Sequence, residues 1–183
     1  YQEKLNIVDE NDKIIGESTR ENIHKKGLLH RSVSVFVYKN KLDLLFQKRS
    51  LSKDIFPGLL DTSAGGGVDA GETYDEAALR ELKEELGIKA KKKDLIFLKK
   101  IRVKNHDSIN KKINNTFKVF FAYKIKDNLK KIKLEKGKVI GIEFWSIDKL
   151  LHLTKREKMQ FVPLNWKKDF IPLFKQIKEL NKK

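Results

Sequence analysis

The sequence predicts an α/β fold in which a mixed β-sheet is packed between helices. Two observations lead there. Strand patterns rich in aliphatic and aromatic residues lie before, between and after isolated helical patterns. One helix, entered through Gly65-Gly66-Gly67, also carries explicit start and stop signals in its own residues.

Taken in order, Leu5 to Val8, the polar turn Asp9 to Lys13 and Ile14 to Gly16 read as an N-terminal hairpin within about residues 1–20. His30-Arg31 leads into Ser32 to Tyr38, which alternates with period two. Lys39 to Lys41 turns the chain into a second strand, Leu42 to Gln47. Pro57-Gly58 breaks the chain before the glycine-rich strand end. Leu95 to Val103, Phe117 to Ile125 and Val139 to Ile147 are further strands by composition. Lys104 to Asn115 and Lys126 to Lys138 read as polar loops. Asp148 begins a short helix, and a terminal helix runs from Pro163 or Asn165 to Leu180, about 163–181. With 183 residues, the chain is expected to form one domain over 1–183.

The central helix is the most informative segment. Thr73 followed by Glu76 is a capping-box signature, and Gly87 after Leu86 is a C-terminal stop, since glycine adopts the left-handed conformation without a Cβ clash. At about 100° per residue, Glu81, Glu84 and Glu85 share a sector about 100° wide. Ala78, Leu79, Leu82 and Leu86 form a separate apolar stripe for the core. Three carboxylates within one turn repel one another, and a hard divalent cation with oxygen ligands relieves that repulsion. The bare backbone of Gly65, Gly66 and Gly67, feeding a helix, reads as a cradle for phosphate oxygens.

Gly66, Glu72, Arg80, Glu81, Leu82, Glu84, Glu85, Gly87 and Ile88 fill the fixed positions of a pattern that resembles the Nudix box. The resemblance implies an α/β/α sandwich and a hydrolase that uses Mg²⁺ or Mn²⁺ to cleave a nucleoside diphosphate linked to another moiety. It implies that Glu81, Glu84 and Glu85 bind metal, with Glu81 either a ligand or the general base. A further carboxylate outside the box often assists in the family, and Glu135 and Glu143 are the candidates. Arg80 and Glu72 are expected to pair across the helix and orient the ligand carboxylates.

Gln47 to Gly58 resembles a segment shared by isopentenyl-diphosphate isomerases and related Nudix hydrolases, in which the residues matching Arg49 and Lys53 hold a diphosphate. A guanidinium and an ammonium at that spacing suit such a clamp. The chain departs from the isomerases at the reacting positions: Gly65 aligns with their cysteine, Gly67 with a metal-binding histidine, and Ile113 and Asn115 with two glutamates. Moving protons on carbon requires an acid and a base, which these residues do not supply. The alternatives to the hydrolase are therefore this isomerase and a non-catalytic nucleotide- or RNA-binding relative.

Composition sets the outer bounds. Zero cysteines exclude disulfides and thiolate chemistry, and no run approaches the roughly 20 apolar residues of a membrane span. The stretch after Tyr1 carries no signal-peptide hydrophobic region, and the absence of cysteine fits a cytoplasmic location as the expectation. The net charge of +16 comes from 35 lysines and six arginines. Lysine is a diffuse point charge, so this balance reads first as compositional bias, with a nucleic-acid partner second. His24 and His30 read as surface or turn residues, because a ligand role needs clustered partners. The expected partner is a small-molecule diphosphate, and the sequence leaves the oligomeric state open, a homodimer included.

Overall fold

A computed structural model describes residues 4–39, 42–53, 56–107, 111–126, 132–163 and 166–180. The expected turn at 40–41, residues 54–55 of the loop after Gln47, parts of the two linkers and residue 165 lie outside the described residues. The order is β1 (Lys4–Val8), β2 (Ile14–Thr19), α1 (Arg20–Lys26), β3 (His30–Tyr38), β4 (Asp43–Arg49), β5 (Leu60–Asp61) and β6 (Ala64–Gly67). Then come α2 (Tyr74–Leu86), β7 (Leu95–Asp107), β8 (Lys112–Lys124), β9 (Val139–Ser146), α3 (Ile147–Leu151), α4 (Lys155–Lys158), a π-type turn at Trp166–Phe170 and α5 (Ile171–Leu180).

The strands form one mixed sheet centred on β3. Among the described strands β3 and β8 run parallel, over His30↔Thr116 to Tyr38↔Lys124, and the other strand pairs are antiparallel. Strands β3 and β4 pair only at Tyr38↔Leu44. Beyond that point β6 takes the free edge of β3, while β4 turns to β5 and β9. The sheet therefore splits into two leaves beside the glycine strand.

Alternation along β3 feeds a core on each face. Val33, Val35 and Val37 pack with Ala77, Ala78, Leu82 and Leu86 of α2. Phe36 and Tyr38 face the other way and pack with Ile147 and Leu150 of α3 and with Leu173, Phe174 and Ile177 of α5. This gives the expected α/β/α sandwich. The cap signals of α2 hold as well: Thr73 and Glu76 make the reciprocal box, and Gly87 sits at φ 68° with its N–H on Leu82 and Lys83 carbonyls.

Four features depart from the sequence reading. Helix α1 was not foreseen, although Thr19 caps it and Gly27 ends it at φ 65°. Lys104 to Asn115 is not simply a loop, because β7 and β8 pair through Asp107↔Lys112. Polar residues continue that hairpin through cross-strand bonds such as Arg102 Nε to Asn115 Oδ1 at 3.0 Å. The short α4, with its own Thr154–Glu157 capping box, was likewise unread. His30 is 2% exposed and meets His24 edge-to-face at 5.2 Å, so it is a core residue rather than a surface one.

The N-terminal hairpin is tied to the central helix through Asp12, which adopts φ 62° in the turn. Its carboxylate accepts bonds from Arg31 Nε (2.7 Å), Lys100 Nζ (2.8 Å) and the Tyr74 hydroxyl (3.0 Å). Arg31 also lies over the Tyr74 ring at 5.1 Å. These contacts fix the first turn of α2 against β3 and β7.

Candidate functional site

The apolar stripe of α2 faces the sheet and its acidic sector runs along β6. Glycine in β6 is what allows the close approach: a Cβ on Gly66 would lie 2.1 Å from Glu81 Oε1, and one on Gly67 would lie 2.8 Å from Leu5 Cδ2. The Gly65 N–H donates to Glu85 Oε2 at 3.0 Å. The run expected to cradle phosphate thus sits within a paired strand, where Gly66 makes room for the Glu81 carboxylate and the Gly65 N–H is taken by Glu85.

Arg80 organises the acidic sector. It donates to Glu72 through Nε (2.9 Å) and Nη2 (3.0 Å), to Glu81 Oε1 through Nη1 (2.8 Å), and to the Gly67 carbonyl through Nη2 (3.0 Å). A longer contact reaches Glu84 Oε2 at 3.4 Å. Burial works against the Arg80 charge, but Glu72 and Glu81 outweigh it and raise its pKa further. The expected Arg80–Glu72 pairing is present as a bidentate fork.

Glu81 and Glu85 are each only 7% exposed, whereas Glu84 is exposed. Burial pushes the Glu85 carboxyl up to about 7, with the neighbouring Glu81 adding to the effect. Burial also raises Glu81, against the pull of Arg80. Gln47 Nε2 donates to Glu85 Oε2 at 2.7 Å. Sequence reasoning gave Gln47 no role, and its position in an alternating strand was the only available signal.

The candidates outside α2 separate cleanly. The Glu135 N–H donates to the Glu85 carbonyl at 3.1 Å, which docks its loop on the C-terminal end of α2. Its Oε1 pairs with Lys138 at 2.9 Å, and its Oε2 is buried without a hydrogen-bond partner among the described residues. Glu143 stands opposite Phe46, on the sheet face away from α2, and accepts from Trp145 Nε1 at 3.1 Å. Arg49 pairs with Asp61 at 2.9 Å. Lys53 is partly buried, and that burial together with Arg49 lowers its pKa. Asp61 lies opposite Gln47 and its charge is felt by Glu85, so these cations border the α2 carboxylates.

Among the described residues no group of three carboxylate or imidazole side chains is gathered closely enough to enclose a metal ion. Glu81 and Glu84 are drawn to Arg80, and Glu85 to Gln47 and Gly65. The donor set nevertheless suits a hard divalent cation. It is all oxygen, two of its members are buried carboxylates whose pKa values burial raises, and Glu135 adds a buried oxygen in need of a partner.

Residues 28–166 match the family model described as NUDIX domain. A Nudix hydrolase of Clostridium acetobutylicum is 36% identical over 152 residues, covering 81% of this chain and 72% of that protein. An isopentenyl-diphosphate Delta-isomerase of Photorhabdus laumondii is 45% identical over 85 residues, covering 46% of this chain and 48% of its own length. Further Nudix hydrolases likewise match over about half of their own length. A crystal structure from Deinococcus radiodurans superimposes with a TM-score of 0.67 at 23% identity, covering 95% of this chain and 98% of that one, which shows a shared fold.

Proposed function

The chain belongs to the Nudix hydrolase family, and from that premise we propose that it hydrolyses a phosphoanhydride bond in a nucleoside diphosphate linked to another moiety, with Mg²⁺ or Mn²⁺. The observation that carries this reading is the pairing of two buried carboxylates with the glycine strand: Gly66 leaves room for Glu81, and the Gly65 N–H donates to Glu85. In the proposal Glu81, Glu84 and Glu85 hold the cation, with Glu135 rather than Glu143 as the further ligand. When bound, the cation neutralises the diphosphate and acidifies water at the site.

The chain's own residues supply the positioning. Arg80 fixes Glu81 through Oε1, which leaves Glu81 Oε2 to bind the ion or to accept a proton from the attacking water. Gln47 and the Gly65 N–H fix Glu85 through Oε2. Arg49 and Lys53 grip the substrate diphosphate. The same reading takes residues 1–183 as one domain, acting on a small molecule in the cytoplasm. Among the described residues no helix is long and apolar enough to cross a membrane.

The isomerase is disfavoured on chemistry. Gly65 and Gly67 have no side chain to act as acid or ligand, and Asn115 is engaged with Arg102 and the Gly27 carbonyl. An RNA substrate is disfavoured because Phe36, Phe46, Phe120 and Phe121 are buried in the core, while Lys100 and Arg102 cover Phe117. The discriminating experiment is a screen of nucleoside-diphosphate compounds, capped RNA and isopentenyl diphosphate with Mg²⁺. Phosphate release from the first group supports the proposal. Conversion of isopentenyl to dimethylallyl diphosphate, or preferential cleavage of capped RNA, replaces it.

A further inference from the structure

Residues 135–139 bridge the end of α2 and the end of β4. On one side the Glu135 N–H donates to the Glu85 carbonyl at 3.1 Å, which seats the turn on the last residues of α2. On the other, the Lys138 carbonyl accepts from the Ser50 N–H at 3.0 Å, and Val139 opens β9 opposite Arg49. Between them the N–H groups of Lys138 and Val139 both donate to the Glu135 carbonyl, at 3.2 and 3.1 Å, and Gly137 takes φ 83°. Glycine supplies that left-handed turn without a Cβ clash. The backbone that carries Glu135 and Lys138 is therefore held from both α2 and β4.

The side chains close the same turn. Lys138 Nζ pairs with Glu135 Oε1 at 2.9 Å, while Glu135 Oε2 is buried without a hydrogen-bond partner among the described residues. A surface ion pair contributes about 0–1 kcal/mol. Sealing an acceptor oxygen away from any donor costs about 1–3 kcal/mol or more. Stability alone therefore does not account for the arrangement, and Oε2 is left in need of a ligand. The α2 carboxylates are held in the same manner. Arg80 fixes Glu81 by Oε1, and Gln47 with the Gly65 N–H fixes Glu85 by Oε2. In all three a neighbouring donor takes one oxygen of the carboxylate. The Lys138 charge also acts on Glu81 and Glu85, which sets it beside the same acidic sector.

We propose that Lys138 is a positioning residue that holds Glu135 through Oε1 and so presents Oε2 as an oxygen ligand to the divalent cation bound by Glu81, Glu84 and Glu85. This rests on the metal-dependent reading of the site. Lys138 acts through Glu135, as Arg80 acts through Glu81, and touches neither the ion nor the substrate. A lysine beside a cation site can instead compete with the ion. Here the ammonium takes the oxygen that the ion does not need, so removing it weakens ion binding.

The test uses the full chain as wild type, Lys138→Met, Lys138→Arg, Glu135→Gln and the double variant Glu135→Gln with Lys138→Met, with folding checked by circular dichroism. Mn²⁺ is the probe, and the paramagnetic resonance signal of the free ion reads its binding without substrate. Binding should weaken at least about tenfold in Lys138→Met and in Glu135→Gln, recover in Lys138→Arg, and weaken no further in the double variant than in Glu135→Gln. Equal or tighter binding by folded Lys138→Met overturns the inference. So does a Lys138→Met loss that adds in full to that of Glu135→Gln, because Lys138 then acts independently of Glu135. Wild-type affinity in Glu135→Gln overturns it as well, and that arm stands if Lys138→Met does not fold. Any of these results beside intact hydrolysis of a nucleoside-diphosphate compound leaves the hydrolase reading in place. Mn²⁺ binding that follows Lys138 through Glu135, with no diphosphate compound hydrolysed, overturns the hydrolase reading and leaves the role of Lys138 standing.

Discussion

Replacing Glu85 with glutamine should stabilise the metal-free protein while abolishing its turnover. In an unfolded chain this carboxyl releases its proton near 4.5, and in the fold near 7, because burial and the charge on Glu81 penalise ionisation. Between those pH values the folded state holds the extra proton, so stability falls as pH rises. At pH 8 the full penalty is present, and at about 1.36 kcal/mol per unit it amounts to at most about 3 kcal/mol. Glutamine carries no charge and keeps an oxygen to accept from Gln47 Nε2 and the Gly65 N–H, so the packing survives. For a chain of this size the gain corresponds to roughly 6–12 °C in Tm at pH 8. The assay is thermal denaturation of wild type and Glu85→Gln in EDTA at pH 4.5 and pH 8, repeated at pH 8 with Mg²⁺. The gap should open only at pH 8 and narrow when the ion binds wild type. A variant equal to or less stable than wild type at pH 8 in EDTA refutes the argument that Glu85 is held there at a cost.

Three other outcomes follow from the same geometry. Gly66→Ala should leave the fold intact but lower turnover by at least about tenfold, because the new Cβ displaces Glu81 from a contact of 2.1 Å; unchanged kinetics would show that Glu81 position is unimportant. Arg49→Ala with Lys53→Ala should raise KM more than it lowers kcat, measured by initial rates, and unaltered constants in the double variant would remove both from the substrate site. Binding of labelled RNA should be weak at about 150 mM salt and fall steeply with salt, as counterion release dictates; tight, saturable binding there would give the +16 charge a dedicated partner.

The legible parts of this protein were those whose determinants are local. Thr73, Glu76 and Gly87 mark the ends of α2 within the helix itself, and the spacing of Glu81, Glu84 and Glu85 places them on one side at any tertiary arrangement. The same signals were present around α1, in Thr19 and Gly27, but a seven-residue helix with one buried residue offers little periodicity to confirm them. What depended on distant chain was not legible. Asn115 reads as loop by composition, yet its bonds to Arg102 and Gly27 hold it in a strand. Glu135 and Glu143 were equivalent in sequence, and only the docking of one loop on α2 separates them. Gln47 looks like the solvent-facing member of an alternating strand. Its bond to Glu85, and the place of Asp61 opposite Gln47, exist only through the tertiary packing of β4 and β5 beside α2.

The most direct test of the central claim is phosphate release from a nucleoside-diphosphate compound by wild type, Glu84→Gln and Glu85→Gln, each with Mg²⁺ and with EDTA. Turnover by wild type with Mg²⁺ alone, reduced by orders of magnitude in both folded variants, is the expected result. Full activity in EDTA, or in both variants with Mg²⁺, would contradict the account.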